Sequence, residues 1–198
     1  MKSLFNLKEI EKIAKLLQKG KIGILPTDTI YGIHASAWDK EAVERIYSIK
    51  KRESNKPFLV LISSIKDLDL FKITLESFQR KVLNKVWPGP VSVVFACGGR
   101  KTAHLRRGKN TLAFRFPQKV FLRRLLEKSG PLVSTSANLS GQKVATSVKE
   151  AQEIFGDQVD FFVNGGKLSQ EPSTIISFSQ NQVKILRRGK GNLTGLTF

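Results

Sequence analysis

Short apolar runs alternate along this chain with longer segments whose apolar residues recur at helical spacing, and that alternation points to an α/β fold. Residues 22–25 form such a run, stopped by Pro26, and 58–63, 91–96, 111–116 and 132–136 form others. Helical patterns separate them. Over residues 7–20, Ile10, Ile13, Ala14 and Leu17 share one face, with Asn6 placed as N-cap and Gly20 as the stop. From about Lys40, residues Ala42, Val43, Ile46, Tyr47 and Ile49 form a second face behind the cap Asp39. Further helices are expected over 74–86, near 119–128, and over 148–155, the last opened by a capping box of Ser147 and Glu150. Residues 98–109 read as a loop, and strands are expected at 159–163, 174–178 and 183–187. This gives about eight strands and five helices. The last three strands, and the pair around Gly98, follow one another without a helix. A single domain with a twisted mixed parallel and antiparallel sheet, flanked by helices, is therefore expected.

The chain has 198 residues, a length suited to one domain over 1–198. It has no uninterrupted apolar run long enough to span a bilayer, and Asn6, Lys8 and Glu9 break the N-terminal apolar stretch. A cytoplasmic location is expected. Cys97 is the only cysteine, which excludes an internal disulfide and a multi-cysteine zinc site and suits a small buried hydrophobe. Lys and Arg number 34 against 16 Asp and Glu, a net charge of +18. Such a surface attracts polyanions: nucleic acid, nucleotide phosphates or anionic lipid.

Three polar clusters follow short apolar runs, where loops at sheet edges gather binding groups. Pro26-Thr27-Asp28-Thr29-Ile30-Tyr31-Gly32 offers hydroxyls and a carboxylate to a small polar ligand, and equally suits a turn closed by its own backbone bonds. The second runs from Lys50 through Lys51, Arg52, Glu53, Ser54 and Asn55 to Lys56 and Pro57. There a guanidinium fork and mobile ammonium groups suit a polyphosphate, or form a solvated helix end. The third, from Ser134 to Gly141, sets small hydroxyl and amide groups around a turn. The sequence contains no Gly-x-Ser-x-Gly elbow, Walker A or Gly-x-Gly-x-x-Gly pattern, and no His-Cys array for zinc. His34 and His104 fit packed or surface positions better than a catalytic base.

Taken together and in order, these segments resemble the YrdC/TsaC family of threonylcarbamoyl-AMP synthases. The resemblance rests on Pro-Thr-Asp-Thr-Ile-Tyr-Gly from Pro26, the pair Lys50 and Arg52, and Ser136, Asn138, Ser140 and Gly141. It extends to Thr111 and Arg115 before Pro117, Ser173-Thr174-Ile175, and Ile185-Leu186-Arg187. It covers a core of about 7–189, leaving a short basic tail over 190–198 and no expected extra C-terminal domain. The family implies a nucleotidyltransferase that makes threonylcarbamoyl-AMP and pyrophosphate from L-threonine, bicarbonate and ATP. That product serves N6-threonylcarbamoyladenosine formation at position 37 of ANN-decoding tRNAs. By the same resemblance Thr27, Arg115, Ser134 and Ser173 hold threonine, and Lys50, Ser54, Thr111, Ser136, Asn138 and Arg187 contact ATP. Lys50 and Arg52 form the catalytic basic pair. No protein-held metal is implied, although Mg2+ is expected to accompany ATP. A tRNA or the downstream transferase complex is the expected partner, with no membrane.

The sequence departs from the family pattern at His34, Lys143, Val144 and Arg188. Two rival readings stay open. One is a non-catalytic module that binds structured RNA through Lys101, Arg106, Arg107, Lys109, Arg123, Arg124, Arg187, Arg188 and Lys190. Against it, Phe95, Phe161 and Phe162 sit in strand-like contexts that suit core packing better than base stacking. The other is a carbamoyl-phosphate-processing or hydrogenase-maturation role, implied because the same fold is fused into larger maturation proteins.

Overall fold

The computed structural model describes residues 2–168 and 171–196. Among them the strands are β1 (Ser3–Asn6), β2 (Gly23–Pro26), β3 (Tyr31–Ser36), β4 (Leu59–Leu61), β5 (Val91–Ala96), β6 (Thr111–Arg115), β7 (Leu132–Ser136), β8 (Phe161–Asn164), β9 (Thr174–Ser179) and β10 (Gln182–Arg187). The helices are α1 (Ile10–Gln18), α2 (Lys40–Lys50), α3 (Ser77–Val86), the short α4 (Ala103–Arg106), α5 (Val120–Ser129) and α6 (Val148–Phe155). All ten strands join one sheet in the order β1-β8-β2-β3-β7-β4-β6-β5-β9-β10. The expected mixed sheet is present: β1 on β8, β8 on β2, β4 on β6 and β5 on β9 are parallel, and the other neighbours antiparallel. No helix of the described residues is long and apolar enough to cross a membrane.

Side chains alternate across the sheet, which therefore carries an apolar cluster on each face. Ile24, Phe162 and Val133 join the larger cluster, which α2, α3 and α6 complete through Val43, Leu83 and Phe155. Leu25, Phe161, Val163, Leu61 and Leu132 point the other way and pack beneath α1 and α5, on Ile13, Leu17, Leu122 and Leu125. The second cluster holds no residue of β5, β6 or β9. On that side of the sheet, the strands beyond α5 are left open to a ligand.

Several local readings hold. Asp39 Oδ1 accepts the Ala42 amide at 2.9 Å and caps α2. Ser147 caps α6 by accepting Glu150 N, but the Glu150 carboxylate turns to the Thr146 amide and hydroxyl instead of closing the box. Cys97 is buried, with its thiol beside Thr102 Oγ1. Other readings need correction. Asn6 ends β1 rather than capping α1, whose N-cap is Glu9, and Asn6 Oδ1 instead accepts the Lys8 amide at 2.8 Å. The segment 98–109 is a 3-10 turn running into α4, pinned by Thr102 Oγ1 donating to Gly98 O at 2.8 Å.

Candidate active site

A cavity of about 380 Å³ opens on the uncovered sheet face. Gly32 of β3, Leu59 of β4, Ala113 and Arg115 of β6, and Ser134 and Ser136 of β7 line it. They can line one floor because the strands are in register: Gly32 faces Ser136, and Leu59 lies between Ser134 and Ala113. Thr27, Thr29, Ser92, Ser173, Arg52 and Arg187 contribute to the walls. Thr27, Arg115, Ser134 and Ser173, named from sequence for threonine, are thus brought together.

The turn after β2 is built by Thr27. Its hydroxyl donates to Ile30 O at 2.7 Å and accepts the Thr29 and Ile30 amides, as Ser and Thr do in tight turns. This turn presents Asp28 and Thr29 to Arg115, which is almost fully buried. Arg115 Nη1 donates to Thr29 Oγ1 at 3.1 Å, and Nη2 pairs with Asp28 Oδ1 at 3.2 Å. The Arg115 Nε has no hydrogen-bond partner, so this guanidinium keeps donor capacity for a ligand. Burial lowers its pKa, and the Asp28 carboxylate opposes that shift. The other Asp28 oxygen accepts the Gln118 amide at 3.1 Å.

Ser134 Oγ lies 3.1 Å from His34 Nε2. His34 is fully buried on β3, and desolvation drives its pKa down to about 3, so the ring is neutral at ordinary pH. Opposite, Ser173 Oγ lies 2.8 Å from Ser92 Oγ, and Arg187 Nη2 donates to Ser173 O at 2.8 Å. The segment after β10 is drawn over this wall. Thr174 Oγ1 bonds Gly189 O and Gly191 O, and Lys190 Nζ reaches Asp28 O at 2.8 Å. A side chain at Gly189 would lie 2.3 Å from Pro172 O, so only glycine permits this approach.

A second cavity, about 480 Å³, adjoins the first at Arg52 and Ser136, which line both. Lys50, Lys51, Arg52 and Lys56 line it with one acidic residue, Glu53, beside Asn138, Ser140 and Gly141. The Lys50 ammonium donates to Ser136 O and Asn138 O, each at 2.6 Å, and to Asn138 Oδ1 at 3.0 Å. Its backbone carbonyl accepts the Ser140 amide and hydroxyl. Lys50 therefore straps the 136–140 turn to the end of α2. Burial, and then the Arg52 cation, lower its pKa to about 7.

Ser54 and Thr111 line neither cavity. Ser54 is exposed, with its carbonyl taken by Arg107 Nε at 2.6 Å, and Thr111 is exposed at the start of β6 opposite Ala96. Asp28, Thr29 and Ser92 belong to the site although the sequence assigned them no role, and His34, expected at a packed or surface position, is buried against Ser134. Asp28 and Thr29 lie inside the first cluster. Ser92 has no local signal beyond being a small polar residue within an apolar strand.

The profile of the Sua5/YciO/YrdC family, described as "Telomere recombination", matches residues 15–189. A putative threonylcarbamoyl-AMP synthase of Methanocaldococcus jannaschii is 31% identical over 191 residues, 93% of this chain and 89% of its own length. The threonylcarbamoyl-AMP synthase of Vibrio vulnificus is 30% identical over 161 residues, 79% of this chain and 86% of its own. Sua5 of Pyrococcus abyssi, solved in complex with L-threonine, superposes with a TM-score of 0.87 at 28% identity. That match covers 94% of this chain and 57% of the Sua5 chain, so this chain spans little more than half of that relative. Profile, relatives and superposed fold agree, and the chain belongs to the Sua5/YciO/YrdC family.

Proposed function

We infer that this protein is a threonylcarbamoyl-AMP synthase, a transferase acting on L-threonine, bicarbonate and ATP. The observation that carries this is the junction of two unlike cavities at Arg52 and Ser136. The first suits a small zwitterion: the Arg115 guanidinium meets a carboxylate, and the hydroxyls of Thr27, Ser134 and Ser173 surround the rest. The second, with four basic side chains against one acidic, suits a triphosphate.

The reaction needs position and charge neutralisation more than a protein nucleophile. The threonine amine bonds to the bicarbonate carbon with loss of water, and the resulting carbamate oxygen displaces pyrophosphate from the α-phosphorus. That last step makes the enzyme a nucleotidyltransferase. Arg115 fixes the amino acid at one end. Arg52, at the junction, faces the phosphates and offsets the charge that builds on the leaving pyrophosphate, while Arg187 stands on the opposite wall. Lys50, Ser136 and Asn138 shape the turn against which the nucleotide lies. Ser54 and Thr111 reach ATP only if their segments close inward. The lining offers no cluster of carboxylates, and among the described residues no group of three or more His, Cys, Asp or Glu stands ready for a metal. Mg2+ would therefore ride on the ATP phosphates, supplying charge neutralisation there.

We place the enzyme in the cytoplasm as one domain over 1–198, handing its product to the transferase that modifies adenosine 37 of ANN-decoding tRNAs. Non-catalytic RNA binding has less support. Arg106 and Arg107, counted among its contacts, are engaged internally, and Phe95, Phe161 and Phe162 are buried. The test is mass spectrometry of the nucleotide product formed with carbon-13 bicarbonate. A labelled threonylcarbamoyl-AMP is expected; free AMP or ADP alone would reject the reading.

A further inference from the structure

Four flat groups stack outward from the site. The Arg52 guanidinium carbon lies 5.3 Å from the centre of the Phe58 ring. Phe58 stacks on Tyr47, with centroids 4.1 Å apart and planes at 24°. Arg107 covers the Tyr47 ring, its guanidinium carbon 4.3 Å from the centre. Arg52 lines both cavities and Arg107 lines neither. The stack runs from the junction of the cavities to a residue more than fifty positions away in the sequence.

Hydrogen bonds fix the same assembly from its edges. Arg107 Nε donates to Ser54 O at 2.6 Å, and Nη1 pairs with Glu44 on α2. The Tyr47 hydroxyl donates to Lys56 O at 2.9 Å, and Arg52 Nε donates to the same carbonyl at 3.2 Å. Burial raises the Tyr47 pKa to about 12, which keeps the phenol a donor across ordinary pH. Arg107 itself is largely closed to solvent and holds a left-handed backbone, φ 52°, at the end of α4. A cation desolvated over a ring face gains more than one left in water. Its planar fork serves the ring, a carboxylate and a carbonyl together, which a lysine does not.

We propose that Arg107 is a positioning residue: through the Tyr47–Phe58 stack and Ser54 O it holds the 52–56 loop so that Arg52 faces the triphosphate. This rests on the synthase reading for the identity of the ligand and on geometry alone for the positioning. It gives the 98–109 segment, which no part of the chemistry uses, a reason to carry an arginine at this position.

The test compares wild type with Arg107→Met, which keeps a long apolar stem, and Arg107→Lys, which keeps the cation without the fork. Amide hydrogen exchange reads the loop without reference to activity. Arg107→Met is expected to speed exchange at 52–56 about tenfold, leaving 27–32 unchanged, with Arg107→Lys between the two. In steady-state kinetics the KM for ATP rises about tenfold while that for threonine stays within about twofold. Exchange equal to wild type at 52–56, or equal changes in both KM values, overturns the proposal. If wild type itself makes no threonylcarbamoyl-AMP, the synthase reading fails separately, and exchange alone decides whether Arg107 holds the loop.

Discussion

Arg115 Nη2 lies 3.2 Å from Asp28 Oδ1, with the two side chains only 3% and 10% exposed. This pair fixes the turn after β2 to the end of β6 and partly balances a cation at the bottom of the cavity. Removing one partner of such a pair leaves the other charge buried and unbalanced. Asp28→Asn is expected to lower unfolding stability by about 3 kcal/mol in urea titration. A loss under about 0.5 kcal/mol would mean that the pair is not closed in solution.

Lys50 has a structural role before any catalytic one. Lys50→Met strips the donor from Ser136 O, Asn138 O and Asn138 Oδ1 together. At about 1 kcal/mol for each bond, a loss of about 3 kcal/mol is expected. Product formation should fall as the 136–140 turn loosens. A variant with wild-type stability and no activity would assign Lys50 to substrate contact alone.

His34 sets the acid response. Its folded pKa of about 3 lies below the ordinary 6.5, so between those values the unfolded chain binds more protons than the folded one. The contribution is fully present above pH 6.5 and is lost as pH falls towards 3. Its full size is on the order of 5 kcal/mol. Unfolding free energy measured against pH should fall through that window in wild type and more gently in His34→Gln.

Gly32 leaves room for that ring. A side chain there would place Cβ 2.7 Å from His34 Cε1 and 3.0 Å from the Thr135 carbonyl. Both neighbours are in the packed sheet, and overpacking of this kind costs about 2 kcal/mol. Gly32→Ala should therefore lower the thermal midpoint and raise the KM for threonine, since Gly32 also lines the cavity. Unchanged stability would show that His34 has another rotamer available.

Helices were legible wherever one face met the core and one met water. Residues 148–155 are the clear case, with Ser147 as the cap. β3 was missed although Tyr31, Ile33 and Ala35 alternate with Gly32, His34 and Ser36, because the strand begins inside the polar segment 26–32, which equally suits a turn. β1 escaped because it is a four-residue edge strand whose partner, β8, lies some 160 residues away. The chemistry was legible by its residue types, which cluster locally at 26–32, 50–57 and 134–141. Its assembly was not. Asp28 with Arg115 and Ser92 with Ser173 are pairings made by strand order, and Arg107 with Ser54 by the docking of the α4 end on the loop after α2, none of which local spacing encodes.

The most direct measurement is pyrophosphate release from ATP by the purified protein, with L-threonine and bicarbonate each omitted in turn. The account predicts release that needs both and collapses in Arg52→Ala, because Arg52 stands where the two cavities meet. Release indifferent to threonine and bicarbonate, or none at all from a folded protein, would contradict it.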